Sequence, residues 1–160
     1  MPVRKHIRLK DYDYSKAGYY FITICVKDMQ ELLWRRDAHC ASVGDAENPQ
    51  LSDIGEVVKT AIENISHYYK AIKVDKYVIM PNHLHLIFVV RNDERRAMRV
   101  PTISTVVNQM KGYVSKELGH SIWQKRFHDH IIRDEADYQR IWQYIDENPA
   151  RWSEDMYYSN

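Results

Sequence analysis

The chain has 160 residues, 44% of them hydrophobic and 28% charged, with a mean hydropathy of −0.59. That composition excludes disorder and collagen, and its length bounds it to a single domain over residues 1–160. No apolar run approaches the ~20 residues of a membrane span, no apolar signal core follows the basic N-terminus, and two cysteines are too few for a disulfide framework, so a cytoplasmic protein is expected. The net charge of +1 hides an asymmetry: residues 1–126 carry 20 Lys/Arg against 14 Asp/Glu, residues 127–160 only 3 against 8. Tyrosine outnumbers phenylalanine 12 to 3, and its apolar ring with a polar tip suits both wet binding surfaces and amphipathic core positions.

In chain order, a basic N-terminal arm over residues 1–16 carries Arg4, Lys5, Arg8 and Lys10, a pattern that suits phosphate backbone and equally a solvated tail. Residues 19–26 are β-branched and aromatic and read as a buried strand. A short strand or hairpin partner is expected at 31–34, and 43–49 is a loop by its turn residues. Ser52 and Asp53 cap a helix running to residue 69, its apolar positions at helical spacing. Residues 73–80 and 83–90 read as two strands joined at Pro81-Asn82 in a hairpin, and 91–99 as a charged loop. Pro101-Thr102 opens a second helix that Gly119 stops. A short strand over 129–133 and a third helix over 136–148, closed by Pro149, complete the order. This predicts an α+β chain: a ferredoxin-like (RRM-like) antiparallel sheet, helices mainly on one face, and an extra C-terminal helix.

Two segments carry chemistry. In a strand, His83 and His85 share a face while Leu84, Leu86 and Phe88 point to the other. Two imidazoles so placed either chelate one metal ion, given a third ligand, or are ordinary half-exposed histidines. On the third helix Tyr144 and Asn148 are four apart and share a face. A tyrosine oxygen beside a polarised phosphate is a covalent nucleophile, and an amide oxygen can complete a metal shell; the bland alternative is packing and a common helix end. Tyr113 and Tyr138 are the rival nucleophiles, the first near an apolar helix face and the second on another face of the third helix. His128 and His130 make a second two-histidine face, read as structural or DNA-facing.

These residues, in their context, resemble one family. The stretches Arg8-Leu9-Lys10-Asp11-Tyr12, Gly18-Tyr19-Tyr20-Phe21, Met80-Pro81-Asn82-His83-Leu84-His85, Trp123-Gln124-Lys125-Arg126-Phe127 and Tyr144-Ile145-Asp146-Glu147-Asn148-Pro149 are similar to the REP-associated tyrosine transposases, a branch of the single-tyrosine HUH transposases (His-hydrophobic-His). The resemblance implies that Tyr144 is the catalytic nucleophile, attacking single-stranded DNA to leave a 5′-phosphotyrosine and a free 3′-hydroxyl. It implies His83, His85 and Asn148 as ligands of Mg²⁺ or Mn²⁺. It implies hairpin DNA as the partner, with Arg4, Lys5, Arg8, Lys111, Lys116, Lys125 and Arg126 as backbone contacts. A solvated helix face would account for Lys111 and Lys116 as well. The resemblance leaves open both the homodimer of the related insertion-sequence enzymes and a monomer. A domesticated hairpin-binding protein that does not cleave is the alternative. A two-histidine phosphoesterase is disfavoured, since that chemistry wants two His-x-Thr/Ser motifs and the chain has none.

Overall fold

The computed structural model describes residues 18–35, 50–91 and 101–154. Four strands, β1 (Gly18–Val26), β2 (Ile72–Ile79), β3 (His83–Val90) and β4 (Trp123–Ile132), form one antiparallel sheet in the order β2-β3-β1-β4. Helices α1 (Asp53–Tyr68) and α2 (Ile103–Leu118) are the crossovers, and α3 (Glu135–Glu147) follows β4. This is the expected ferredoxin-like order with one added helix.

The helix ends follow from local chemistry. The Ser52 side chain accepts a hydrogen bond from Gly55 N, the Thr102 side chain from Thr105 N, and the Asp134 side chain from Asp137 N, each satisfying an orphan donor of a first turn. Gly119 ends α2 with φ of 80°, a left-handed conformation that lacks a Cβ clash only for glycine. Gly55 is required for another reason. A Cβ there would sit 2.1 Å from the Leu33 carbonyl oxygen, so the first turn of α1 lies directly on that backbone.

Strand alternation then sorts the core. Tyr20, Ile22 and Ile24 of β1 and Leu84, Leu86 and Phe88 of β3 are fully buried against Val58, Ile62 and Ile65 of α1 and Val106, Val107 and Val114 of α2. α3 takes the opposite face, where Ile141 and Ile145 pack on Ile87, Ile132, Phe21 and Val78.

Three expectations change. Residues 31–34 supply one isolated bridge, Trp34 to Leu51, and no strand. β4 spans ten residues, twice the expected length; its first half buries Trp123 and Phe127 but exposes Lys125 and Arg126 between them on the sheet edge, so it lacks the apolar run that marks a strand. β2 carries a bulge: Val74 pairs with Phe88 and Lys76 with Ile87, which leaves Asp75 as an inserted residue. Beyond it, Lys76 and Val78 turn to the α3 face. The basic arm, 43–49 and most of 91–99 lie outside the described residues.

Candidate active site

The β2–β3 turn positions the histidines. Met80 N donates to His83 O at 2.8 Å, Val26 N to Asn82 O at 2.9 Å and Leu33 N to Pro81 O at 3.0 Å, so three chain segments stitch Pro81-Asn82 in place. From there β3 carries His83 opposite Cys25 and His85 opposite Thr23, all on the α3 face. Both imidazoles are buried, His83 fully and His85 to 1% exposure. Their Nε2 atoms lie 3.1 Å apart. Behind them, His83 Nδ1 meets Asn82 Oδ1 at 2.8 Å and His85 Nδ1 meets Thr23 Oγ1 at 2.8 Å. Phe21 stacks on His85 at 5.2 Å between centroids, and the Trp152 ring lies 6.0 Å from that of His83.

α3 brings the tyrosine. Its apolar side, Ile141 and Ile145, docks on the sheet and turns Tyr144 toward β3. The Tyr144 hydroxyl is 3.4 Å from His85 Nε2, while the residue as a whole is 40% exposed. One helical turn on, Asn148 is buried, and its Oδ1 has no hydrogen-bond partner among the described residues. A buried amide oxygen without a donor is costly and asks for a cation or a proton donor.

Polar ties fix the axial position of α3. The Tyr138 hydroxyl donates to Asp75 Oδ2 at 2.5 Å; this hydrogen bond first, then burial and the Asp75 charge, pushes the phenol up to about 12. Lys76 Nζ lies 3.0 Å from Asp146 Oδ1 and 3.7 Å from the centre of the Trp142 ring. At the start of α3, Asp137 accepts from His130 at 2.6 Å and pairs with Arg140. Burial alone would raise the Asp137 carboxyl, but His130 and Arg140 together hold it below its ordinary value.

The spacing of the two imidazoles fits a small divalent ion. Cis ligands on an octahedral ion with bonds of about 2.1 Å are about 3 Å apart, which is the spacing of the two Nε2 atoms. Two imidazoles and an amide oxygen are nitrogen and oxygen donors of the kind such ions accept. Among the described residues no cluster of three His, Cys, Asp or Glu competes for the role.

No family model matches the chain. It is 35% identical to an uncharacterized protein of Haemophilus influenzae, over 97% of this chain and 93% of that one. A second Haemophilus influenzae protein, named "Putative REP-associated tyrosine transposase", is 25% identical over 87% of this chain and 74% of its own length. A solved structure of a REP-associated tyrosine transposase bound to a REP hairpin superposes with a TM-score of 0.60 at 20% identity, covering 91% of this chain and 74% of that one. The chain is thus similar over most of its length to REP-associated tyrosine transposases, and shares their fold.

The residues singled out from sequence fall into three groups. His83, His85 and Tyr144 come together, and Asn148 lies on the helix that delivers Tyr144. Lys116, Lys125 and Arg126 are exposed, and Arg4, Lys5 and Arg8 lie outside the described residues. Lys111 needs correcting as a surface DNA contact. It is 9% exposed, and its ammonium donates to the carbonyls of Gln124 at 2.8 Å and Arg126 at 3.5 Å, tying α2 to β4. Of the rival tyrosines, Tyr113 packs against the α1–α2 core and Tyr138 is committed to Asp75. Thr23 and Asn82 were missed as site residues. The contact of Asn82 was adjacent in sequence; that of Thr23 depends on strand register.

Proposed function

We propose that this protein is a transposase that cleaves and rejoins single-stranded DNA beside a hairpin, with Tyr144 as nucleophile and a divalent ion, Mg²⁺ or Mn²⁺, held by His83, His85 and Asn148. One observation carries the reading: the hydroxyl of a rim-exposed tyrosine lies 3.4 Å from one of two converging, buried imidazole nitrogens. The bound ion would supply Lewis-acid polarisation of the scissile phosphate.

The chain's own residues do the rest. Tyr144 Oη bonds to phosphorus as the P–O3′ bond breaks. The phenolic proton is lost and the departing O3′ gains one, leaving a 5′-phosphotyrosine and a 3′-hydroxyl. Because one phosphodiester replaces another, a second 3′-hydroxyl can reverse the step and reseal the strand without an energy source. Partial exposure of Tyr144 leaves room for a strand, while the buried histidines are shielded from water. Tyr144 serves the histidines of its own chain in this arrangement, which favours a site assembled within one subunit. Lys116, Lys125 and Arg126, with Arg4, Lys5 and Arg8, would meet the hairpin backbone, as suits a family member whose structure holds a REP hairpin.

The test is a cleavage assay on labelled hairpin DNA from the gene's own flanks with Mn²⁺, run on denaturing gels. A covalent adduct is expected, lost in Tyr144→Phe and lost with EDTA. An adduct that survives Tyr144→Phe overturns the assignment of the nucleophile. Tight hairpin binding with no adduct identifies a non-cleaving binder instead.

A further inference from the structure

The two histidines are alike in sequence and unlike in what stands behind them. Asn82 Nδ2 donates to the Met29 carbonyl at 3.4 Å, an atom that can only accept. This fixes the amide, so Oδ1 is the atom facing His83 Nδ1 at 2.8 Å. An amide oxygen only accepts, so His83 must carry its proton on Nδ1, and the neutral ring then presents a bare Nε2. The Met29 end of this chain is itself held in an unusual conformation: Asp28 and Met29 have φ of 57° and 55°.

His85 has no such lock. Its Nδ1 faces the Thr23 hydroxyl at 2.8 Å, a group that donates or accepts by rotating one bond. Two bare Nε2 atoms 3.1 Å apart repel each other, so without a cation one proton belongs between them. His83 cannot supply it; His85 can, if Thr23 donates to its Nδ1. Thr23 O–H to His85, His85 Nε2–H to His83, His83 Nδ1–H to Asn82 and Asn82 N–H to Met29 O then run in one direction, each donor meeting an acceptor.

We propose that Asn82 and Thr23 are positioning residues with different tasks: Asn82 locks His83 in one tautomer, and Thr23 lets His85 exchange between two. This rests on the metal reading above for its second half only. When a divalent ion binds, the His85 proton leaves Nε2 and one is taken up at Nδ1, so the ring stays neutral. The Thr23 hydroxyl turns from donor to acceptor. His83 does not change.

Nitrogen NMR of the imidazoles, which reads the protonated nitrogen directly, tests this in the full chain, with Mg²⁺ as the probe. The wild-type protein is expected to show His83 as Nδ1–H with and without Mg²⁺, and His85 moving from Nε2–H to Nδ1–H on binding. Thr23→Val, which keeps the shape and removes the hydroxyl, should weaken Mg²⁺ binding by about 10- to 100-fold and leave His83 unmoved; Thr23→Ser should restore binding. Asn82→Leu should release the His83 tautomer, and Asn82→Asp, which keeps an acceptor, should retain it. His83 protonated on Nε2 in the wild type overturns the lock. Thr23→Val binding Mg²⁺ like wild type overturns the exchange. A wild-type protein with the His83 lock but no Mg²⁺ binding sinks the metal reading and leaves the lock standing.

Discussion

One face of the sheet takes Tyr20, Ile22 and Ile24 from β1; the other takes Phe21, Thr23 and Cys25 from the same nine residues. On β3 the division is Leu84, Leu86 and Phe88 against His83, His85 and Ile87. The first face is closed by two helices over aliphatic side chains, and hydrophobic burial is its main support. The second is closed by one helix whose four-residue apolar cluster is small, and it relies on Tyr138–Asp75, Lys76–Asp146 and His130–Asp137 to hold that helix. Such polar ties are weaker than core burial but directional. The aliphatic core and the candidate site are thus separated by the pleat and not by distance along the chain.

That separation can be tested from the largest effect downward. Tyr144→Phe should abolish adduct formation while shifting the melting temperature little, since the hydroxyl it removes is at the rim; adduct gels and calorimetry read the two. Leu86→Ala, one residue from His85 but on the other face, should cost about 2–5 kcal/mol in denaturant unfolding and leave cleavage per folded molecule unchanged. Gly55→Ala should cost about 1–3 kcal/mol, because the added methyl must displace the Leu33 backbone.

Smaller effects should come from the ties of α3. The Tyr138 phenol is raised from 10.0 to about 12 in the folded chain. Its contribution is therefore complete below 10.0 and is lost as pH rises through about 12. Tyr138→Phe should remove about 1 kcal/mol at neutral pH and flatten the alkaline end of a stability profile. Asp137 is lowered from 3.8, so its contribution is present above 3.8 and lost as pH falls through the lower folded value. Asp137→Asn should cost under about 1 kcal/mol and shift acid unfolding toward higher pH. An effect of Tyr138→Phe on cleavage larger than its effect on unfolding would show that the helix position matters more to the site than to the fold.

The sequence made much of this legible, and the failures have physical causes. Helix ends at Ser52, Thr102 and Gly119 are local chemistry, so they could be read without the fold. His83, His85, Tyr144 and Asn148 sit in short motifs whose spacing survives folding. The early half of β4 was not legible, because an edge strand shows no buried alternation over Gln124, Lys125 and Arg126. Lys111 looked like surface charge until two carbonyls of a distant strand were seen to receive it. Thr23 could be linked to His85 only through the pairing of β1 with β3, 62 residues apart in sequence.

The inserted Asp75 also bears on how this protein tolerates change. Before the bulge Val74 faces the two-helix core, and after it Tyr77 does, three residues on instead of the even number a regular strand requires. Deleting Asp75 itself would restore plain alternation, with Lys76, Tyr77 and Val78 keeping their partners Ile87, Leu86 and His85. What it would remove is the carboxylate that receives the Tyr138 hydroxyl, so the extra residue serves to set a polar anchor for α3 and not to decide which face the later residues take.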